Sequence, residues 1–177
     1  MGKLIATAQA TLDGVIDPVA DWLMPDGDHG IYSIERQERS AGLVLGRTTY
    51  EGLAGYWPNQ TGKWADMVNG LPKYVASTAL SGDLDWNATL LEGDLSNSIP
   101  KLKAEVDGDL FMHGSGELAY SLAERNLVDE FEVYVNPLVW GDANAHLLGG
   151  RGPVRLQLED VKRFDSGVVL LSYRPAA

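Results

Sequence analysis

The sequence predicts an α/β fold: a mixed sheet covered by helices, closing in a C-terminal antiparallel hairpin. Three features predict it. Apolar runs at 4–9, 43–46, 72–78 and 110–113 are separated by stretches whose apolar residues recur at helical spacing. From Val128 to Val135 the pattern changes to alternation of Phe131, Val133 and Val135 with polar partners, the mark of a strand with one buried face. Asp165-Ser166-Gly167 then turns the chain between two further β-type segments, 154–161 and 168–173. Strands alternating with helices, followed by a β-rich final third, pack most economically as a mixed sheet with helical cover.

At 177 residues, 45% of them hydrophobic and 22% charged, the chain has the composition of a single globular domain spanning 1–177. Cysteine is absent, which excludes a disulfide framework, a thiolate nucleophile and cysteine metal sites. A reducing compartment suits it, and a cytoplasmic location is expected. No apolar run approaches the roughly 20 residues that span a bilayer. The start, Met1-Gly2-Lys3-Leu4-Ile5-Ala6, lacks a signal-peptide core and the Ser or Thr of a myristoylation site, so no membrane partner is expected. Fourteen basic residues against 25 acidic ones give a net charge of −11, and the basic residues are scattered. Nucleic acid is repelled on average. A small anionic ligand remains compatible, because amides and one arginine act within a screening length of about 8–10 Å.

Taken in order, Leu4 to Gln9 is a strand placed almost at the N-terminus, and Thr11-Leu12-Asp13-Gly14-Val15-Ile16 turns it into a second short apolar segment. The loop from Asp17 to Asp28 mixes four aspartates with Trp22, Met24 and Pro25. Such a loop folds over a ligand or over its own core edge. Gly30 to Ala41 reads as a helix with Ile31 and Ile34 on one face and the charges of 35–39 on the other. Leu43-Val44-Leu45-Gly46 is a buried strand ending in glycine, and Arg47-Thr48-Thr49-Tyr50-Glu51 opens a helix. Two readings of that junction stand together: a guanidinium and two hydroxyls suited to phosphate oxygens, and a capping box from Thr48 to Glu51. Trp57-Pro58 closes the segment, and Thr61 to Leu71 forms a further short helix. Pro72 to Thr78 is a third strand ending in the hydroxyls of Ser77 and Thr78. Ala88 to Leu91 is a fourth, and Ser96 to Val106 is a helix with Pro100 in its first turn.

The stretch from Asp109 to Leu118 organises the rest. A strand at Leu110–His113 stops at Gly114-Ser115-Gly116, and a helix runs from Glu117 to Asn126. Glycine lets a ligand approach the backbone, and the free amides of a helix start can donate to an anion. Gly46, Ser77 and Gly114 are thus all expected at carboxyl ends of sheet strands, where α/β proteins bind ligands. Together these junctions suit a diphosphate and an adenosine phosphate.

Other chemistries fit less well. Gly114-Ser115-Gly116-Glu117-Leu118-Ala119 fits the G-x-G-x-x-A fingerprint, but it lies late in the chain, and Asp129 and Glu130 begin the next strand rather than end it. A Rossmann dehydrogenase is therefore disfavoured. His29, His113 and His146 show no HExxH-type spacing and read as ordinary hydrogen-bonding residues, not metal ligands. His113-Gly114-Ser115-Gly116-Glu117 is not the G-x-S-x-G of a nucleophile elbow. No carboxylate pair stands out among the 25 acids for glycoside chemistry. The tryptophans read mostly as packing, although Trp22 in the acidic loop is placed to stack on a planar ring.

Thr11-Leu12-Asp13-Gly14-Val15-Ile16, Leu45-Gly46-Arg47-Thr48-Thr49-Tyr50-Glu51, Lys73-Tyr74-Val75-Ala76-Ser77-Thr78-Ala79-Leu80, Gly114-Ser115-Gly116-Glu117-Leu118, and Leu127-Val128-Asp129-Glu130-Phe131 with Pro137-Leu138-Val139-Trp140-Gly141 cover nearly the whole chain. In order and spacing they resemble the dihydrofolate reductase superfamily, closest to stand-alone relatives of the RibD C-terminal (riboflavin-pathway pyrimidine reductase) domain. The resemblance implies a mixed, mostly parallel sheet flanked by helices that binds NADPH and forms a homodimer. It implies that Gly46, Arg47, Thr48 and Thr49, with Gly114, Ser115, Gly116, Glu117 and Leu118, hold the pyrophosphate. Arg47 and Ser77-Thr78 would face the adenosine 2′-phosphate, and Ala8, Gln9 and Ile16 would border the nicotinamide. Trp22 and Asp28 are the substrate-side candidates, and Asp13 is the candidate proton donor, against its plainer reading as a turn residue.

The departures are informative. Folate reductases place an acid on the first helix and an arginine before the third strand, whereas here Gly30 and Leu71 fall near those positions, with Asp26 and Asp28 only nearby. The ribose-phosphate-binding stretch of the riboflavin-pathway domains is replaced by Tyr50-Glu51-Gly52-Leu53-Ala54-Gly55-Tyr56-Trp57-Pro58. The expected function is an NADPH-dependent reductase acting on a small pyrimidine- or pteridine-like heterocycle, resembling 5-amino-6-(5-phosphoribosylamino)uracil reductase. The alternatives are a non-catalytic NADPH-binding homodimer and, with less support, a true dihydrofolate reductase.

Overall fold

The computed structural model describes residues 2–23, 27–114, 116–141, 145–147 and 153–176. The chain falls into two compact units, one of Met1–Leu4 and Ser33–His113 and one of Ile5–Tyr32 and Gly114–Ala177.

In the first unit β3 (Gly42–Gly46), β4 (Lys73–Ala76), β5 (Ala88–Leu90) and β6 (Leu110–His113) lie in the order β5-β4-β3-β6. All of their pairings are parallel. Leu43, Val44, Leu45, Leu110, Phe111 and Met112 are all buried, a continuous apolar run rather than an alternation, as parallel strands covered on both faces require. The helices α3 (Arg47–Tyr56), α4 (Lys63–Gly70) and α5 (Leu95–Glu105), with a short 3-10 turn at Trp57–Asn59, bury Tyr50, Met67, Val68, Ile99 and Leu102. Asp94 caps α5 by accepting from the Ser96 amide at 2.7 Å. That cap starts the helix at Leu95, so Pro100 falls in the second turn, not the first, and removes an internal hydrogen bond. Gly42 permits a close approach: a Cβ there would lie 2.6 Å from the Pro72 carbonyl oxygen, the same oxygen that accepts from the Leu43 amide at 2.8 Å.

Lys73 opens β4 and is fully buried. Its ammonium donates to the Asn69 carbonyl at 3.1 Å and sits 4.0 Å above the Trp86 ring. Trp86 Nε1 in turn donates to Asn69 Oδ1 at 2.7 Å. Trp86 and Asn87 hold left-handed φ values of 63° and 53°, which brings the Asn87 carbonyl to the Lys73 amide at 2.9 Å. No carboxylate pairs with Lys73 among the described residues, and burial pushes its pKa down to about 8.

In the second unit β1 (Leu4–Thr11, from Ile5 onward), β7 (Glu130–Asn136), β10 (Val169–Pro175) and β9 (Leu156–Arg163) lie in the order β1-β7-β10-β9. β1 and β7 are parallel, with Ile5 opposite Glu130 and Thr11 opposite Asn136, while β10 is antiparallel to both β7 and β9. The expected mixed, mostly parallel sheet structure with a C-terminal antiparallel hairpin is therefore present. A small pair, β2 (Val15–Asp17) with β8 (Ala145–His146), lies apart. The helices are α1 (Val19–Trp22), one turn inside the segment expected as loop, and α6 (Glu117–Glu124); α2 (Asp28–Gln37) starts in this unit. Tyr134, Phe164, Val168 and Leu170 form a buried cluster with Tyr32 against it.

β9 is an edge strand, exposed from Gln157 to Arg163 and starting two residues later than the apolar pattern of 154–161 suggests. A bulge between Ser172 and Tyr173 interrupts its pairing with β10. Leu158 and Val161, 49% and 52% exposed, are interleaved with Glu159, Asp160, Lys162 and Arg163. Charge and bulge together are the usual protection of an open edge.

Lys73→Met keeps an unbranched side chain and removes the charge. Between about pH 8 and 10.5 the unfolded chain holds the lysine proton and the folded chain does not, so wild-type stability to urea is expected to rise across that window. The variant is expected to lose this rise and to match or exceed wild-type stability at pH 7. A less stable variant that kept the slope would show that the contact with Trp86, and not the desolvated charge, dominates.

Candidate functional site

The site is built from the way the parallel strands of the first unit end. Gly46 lies opposite Ala76 in the β3–β4 register, so the segments beginning at Arg47 and Ser77 leave the sheet side by side. β6 pairs with the other side of β3 as far as Val44 opposite Met112 and ends one residue later, at His113, on the same edge.

Gly46 is the N-cap of α3, in extended conformation and with no side-chain hydrogen bond capping the helix. The capping box expected from Thr48 to Glu51 is not formed, because the helix starts at Arg47 and Thr48 lies inside its first turn. Glu51 pairs with Arg47 instead, its two oxygens 3.2 and 3.4 Å from Nη1, in an exposed ion pair. The consequence is a helix start whose amides no side chain among the described residues has claimed, as an anion site requires. Ser77 Oγ accepts from the Ala79 and Leu80 amides, both at 3.0 Å, which leaves its O–H free to donate. Thr78 is exposed beside it. The Tyr50 hydroxyl donates to the Asp85 carbonyl at 3.1 Å and ties α3 to the segment returning to β5.

His113, read from the sequence as an ordinary hydrogen-bonding residue, is held by two side chains at this edge. Its Nε2 is hydrogen-bonded to Gln37 Oε1, and Gln37 Nε2 donates to Ser33 Oγ at 3.0 Å. Trp64 of α4 lies over the imidazole with centroids 6.1 Å apart and planes 20° from parallel. Burial pushes the imidazole pKa down to about 4, so it is neutral near pH 7. No sequence signal marks this cluster: Gln37 and His113 are 76 residues apart, and nothing in the helical pattern of α2 distinguishes Gln37 from a solvated polar residue.

The remaining expected residues lie in the second unit. Gly114 has φ +85° and donates to the Thr7 carbonyl at 3.3 Å, a backbone conformation that calls for glycine. Ser115 lies outside the described residues. Gly116 is the N-cap of α6, again without a side-chain cap, and a Cβ there would meet nothing within 4 Å. Packing does not demand glycine at 116. Glu117 is exposed and Leu118 half-buried on that helix. Ala8 is buried on β1, Gln9 accepts from Asn136 Nδ2 at 3.0 Å, and Ile16 is half-buried on β2.

The structure gives three of the expected site residues other work. Trp22 is only 7% exposed, with its indole N–H buried and unpartnered; it packs in the interior and has no open ring face for a substrate. Asp28 accepts from the amides of Asp165 at 2.7 Å, Ser166 at 3.3 Å and His29 at 3.0 Å, and the Asp165 amide is the main reason its pKa lies below the usual carboxylate value. With His29, whose Nδ1 is 2.9 Å from Ser166 Oγ, it fastens the start of α2 to the β9–β10 turn. This tie also explains why the helix begins at Asp28 and not at Gly30. Asp13 is bonded to Thr11 Oγ1 and accepts from the amides of Trp140 at 3.1 Å and Gly141 at 2.9 Å. The Thr11 hydroxyl and those amides hold its pKa at about 2. An ionised carboxylate committed as an acceptor cannot serve as the proton donor expected of it.

Among the described residues no group of three or more His, Cys, Asp or Glu is placed to hold a metal ion, and no helix is long and apolar enough to cross a membrane.

Parallel strands feeding helices, with an antiparallel hairpin to finish, define an α/β protein built on a mixed sheet. The family model of the RibD C-terminal domain matches residues 2–170, and the chain belongs to that family. Similarity to individual proteins is lower. The chain is 25% identical over 179 residues to the uncharacterised protein YyaP of Bacillus subtilis (strain 168), covering 97% of this chain and 94% of that protein. A candidate riboflavin biosynthesis protein from Shewanella sp. PV-4 has a similar fold, with a TM-score of 0.74 at 19% identity over 99% of both chains. Dihydrofolate reductase from Enterococcus faecalis, solved with NADP(H) and RAB-propyl, superposes with a TM-score of 0.68 at 14% identity, over 99% of this chain and 98% of the enzyme. The dihydrofolate reductase-like fold expected from the sequence is thereby shown.

Asp13→Asn is expected to lower stability at neutral pH by turning an acceptor of two loop amides partly into a donor. Because the folded carboxylate titrates at about 2 and the unfolded one near 3.8, the wild-type advantage is fully present above that range and is lost as pH falls through it. Urea midpoints of both proteins from pH 7 down to 2 should therefore converge; a constant gap would contradict the charge-based tie.

Proposed function

We propose that this chain is an NADPH-dependent reductase that reduces a small pyrimidine- or pteridine-like heterocycle, acting as a cytoplasmic homodimer. The observation that carries the reading is the pairing of two exits from one parallel sheet edge, Gly46 to Arg47 and Ala76 to Ser77, in a member of the RibD C-terminal domain family. The fit to the cofactor rests on unclaimed donors: the first-turn amides of α3, the exposed guanidinium of Arg47, and the hydroxyls of Ser77 and Thr78. Among the described residues Arg47 is engaged only by an exposed i, i+4 pair, worth about 0.3–0.5 kcal/mol. It exchanges Glu51 for a 2′-phosphate at little cost, and the charge-assisted hydrogen bonds to the phosphate oxygens are stronger than the pair they replace. The resemblance assigns the 114–118 stretch to the pyrophosphate and Ala8, Gln9 and Ile16 to the nicotinamide surroundings.

NADPH supplies a hydride when bound, and the protein's task is to align nicotinamide and acceptor atom at about 3–3.5 Å. With Asp13 ionised and committed to loop amides, the proton that completes the reduction is drawn from solvent.

Fluorescence titration with NADPH and NADH tests the reading. Wild type is expected to prefer NADPH, and Arg47→Ala to weaken NADPH about tenfold or more while leaving NADH nearly unchanged. Equal losses would remove Arg47 from the 2′-phosphate, and binding of neither nucleotide would refute the reductase. Turnover is then followed at 340 nm on a panel of pterins, pyrimidines and carbonyl compounds. Tight NADPH binding with no oxidation across the panel would favour the non-catalytic binder.

A further inference from the structure

We propose that His113 reads the substrate: its Nδ1 accepts a hydrogen bond from a ring N–H or amino group of a planar nitrogen heterocycle, with Gln37 as the positioning residue. This rests on the reductase reading and adds to it the residue that selects the substrate's hydrogen-bonding edge.

The tautomer follows from the partners. Gln37 Nε2 is committed as donor to Ser33 Oγ at 3.0 Å, so the amide oxygen faces the imidazole. That oxygen can only accept, and His113 Nε2 must carry the proton. Gln37 and Ser33 are 2% and 3% exposed, so neither is free to reorganise in water. Trp64 fixes the plane of the ring. An imidazole held at Nε2 and on one face has a single remaining function, the in-plane lone pair on Nδ1. That atom has no partner among the described residues, and His113 is only partly buried at the strand end. The ring is neutral near pH 7, which keeps Nδ1 an acceptor rather than a second donor.

Position supports the same role. His113 ends β6 at the sheet edge where Arg47 and Ser77 emerge, and ligands of open α/β sheets bind beyond that edge. A histidine kept only for packing has its polar atoms satisfied; here Gln37 and Trp64 hold the ring and Nδ1 is left without a partner among the described residues. A site that offers an acceptor discriminates strongly against ligands lacking the donor, since the acceptor is then left unpaired.

The test uses 2,4-diaminopyrimidine, which offers amino donors, against 1,3-dimethyluracil, which offers none, each titrated by tryptophan fluorescence and calorimetry into the NADPH-free full-length chain. Wild type is expected to bind the first about tenfold or more tighter than the second. His113→Gln places an amide N–H where Nε2–H was, retaining the bond to Gln37, but has no acceptor at Nδ1. It is expected to fold, to bind NADPH as wild type does, and to lose the discrimination. Gln37→Leu should convert the long-range 1H–15N pattern of His113 from one tautomer to a mixture and weaken 2,4-diaminopyrimidine without weakening NADPH. Failure of wild type to bind or to discriminate, an unaltered preference in His113→Gln, or an unchanged tautomer in Gln37→Leu would each overturn the proposal. Loss of NADPH binding by the wild type would instead refute the reductase reading, and the pyrimidine titration would still decide the role of His113.

Discussion

The register of β3 on β4 governs the first unit. At one end Gly42 lets the Pro72 carbonyl approach to within reach of the Leu43 amide, an approach that any side chain at 42 would block. At the other end the same register sets Gly46 abreast of Ala76. A slip of one residue would offset Gly46 from Ala76 and separate the two exits. The arrangement of donors at the edge is therefore a property of strand pairing, and the loops inherit it.

The charged and titratable side chains are used in an instructive way. Asp13 and Asp28 spend their oxygens on backbone amides and fasten the loop at 140–141 and the hairpin turn at 165–166. Neither holds a proton to give near pH 7. The groups whose pKa burial pushes down are a lysine at the start of β4 and a histidine at the end of β6. A reductase that borrows its hydride from a nucleotide needs orientation more than acid–base strength, and this pattern suits that demand.

Much of the fold was legible because it rests on local signals. Continuous apolar runs marked β3 and β6, glycine marked their ends, and Asp165-Ser166-Gly167 marked the hairpin. What escaped depends on partners far away in sequence. Thr48 and Glu51 satisfied the capping spacing, yet the helix begins one residue earlier and Glu51 turns to Arg47. Asp28 looked like a substrate acid until the turn 137 residues away claimed it. Trp22 sat in an acidic loop whose composition suggested exposure, but one helical turn carries it inward. Composition describes neighbours along the chain, whereas burial is decided across it.

The open flank of β9 has a consequence for handling the protein. Its protection lies in the bulge beside Ser172 and in the charges of Glu159, Asp160, Lys162 and Arg163, with Glu159 held to Arg174. Near the isoelectric point of about 4.6 the net negative charge that keeps copies apart is gone, while Leu158 and Val161 stay exposed along that edge. Mildly alkaline, low-salt buffers preserve the mutual repulsion and are the natural conditions for concentrating this protein.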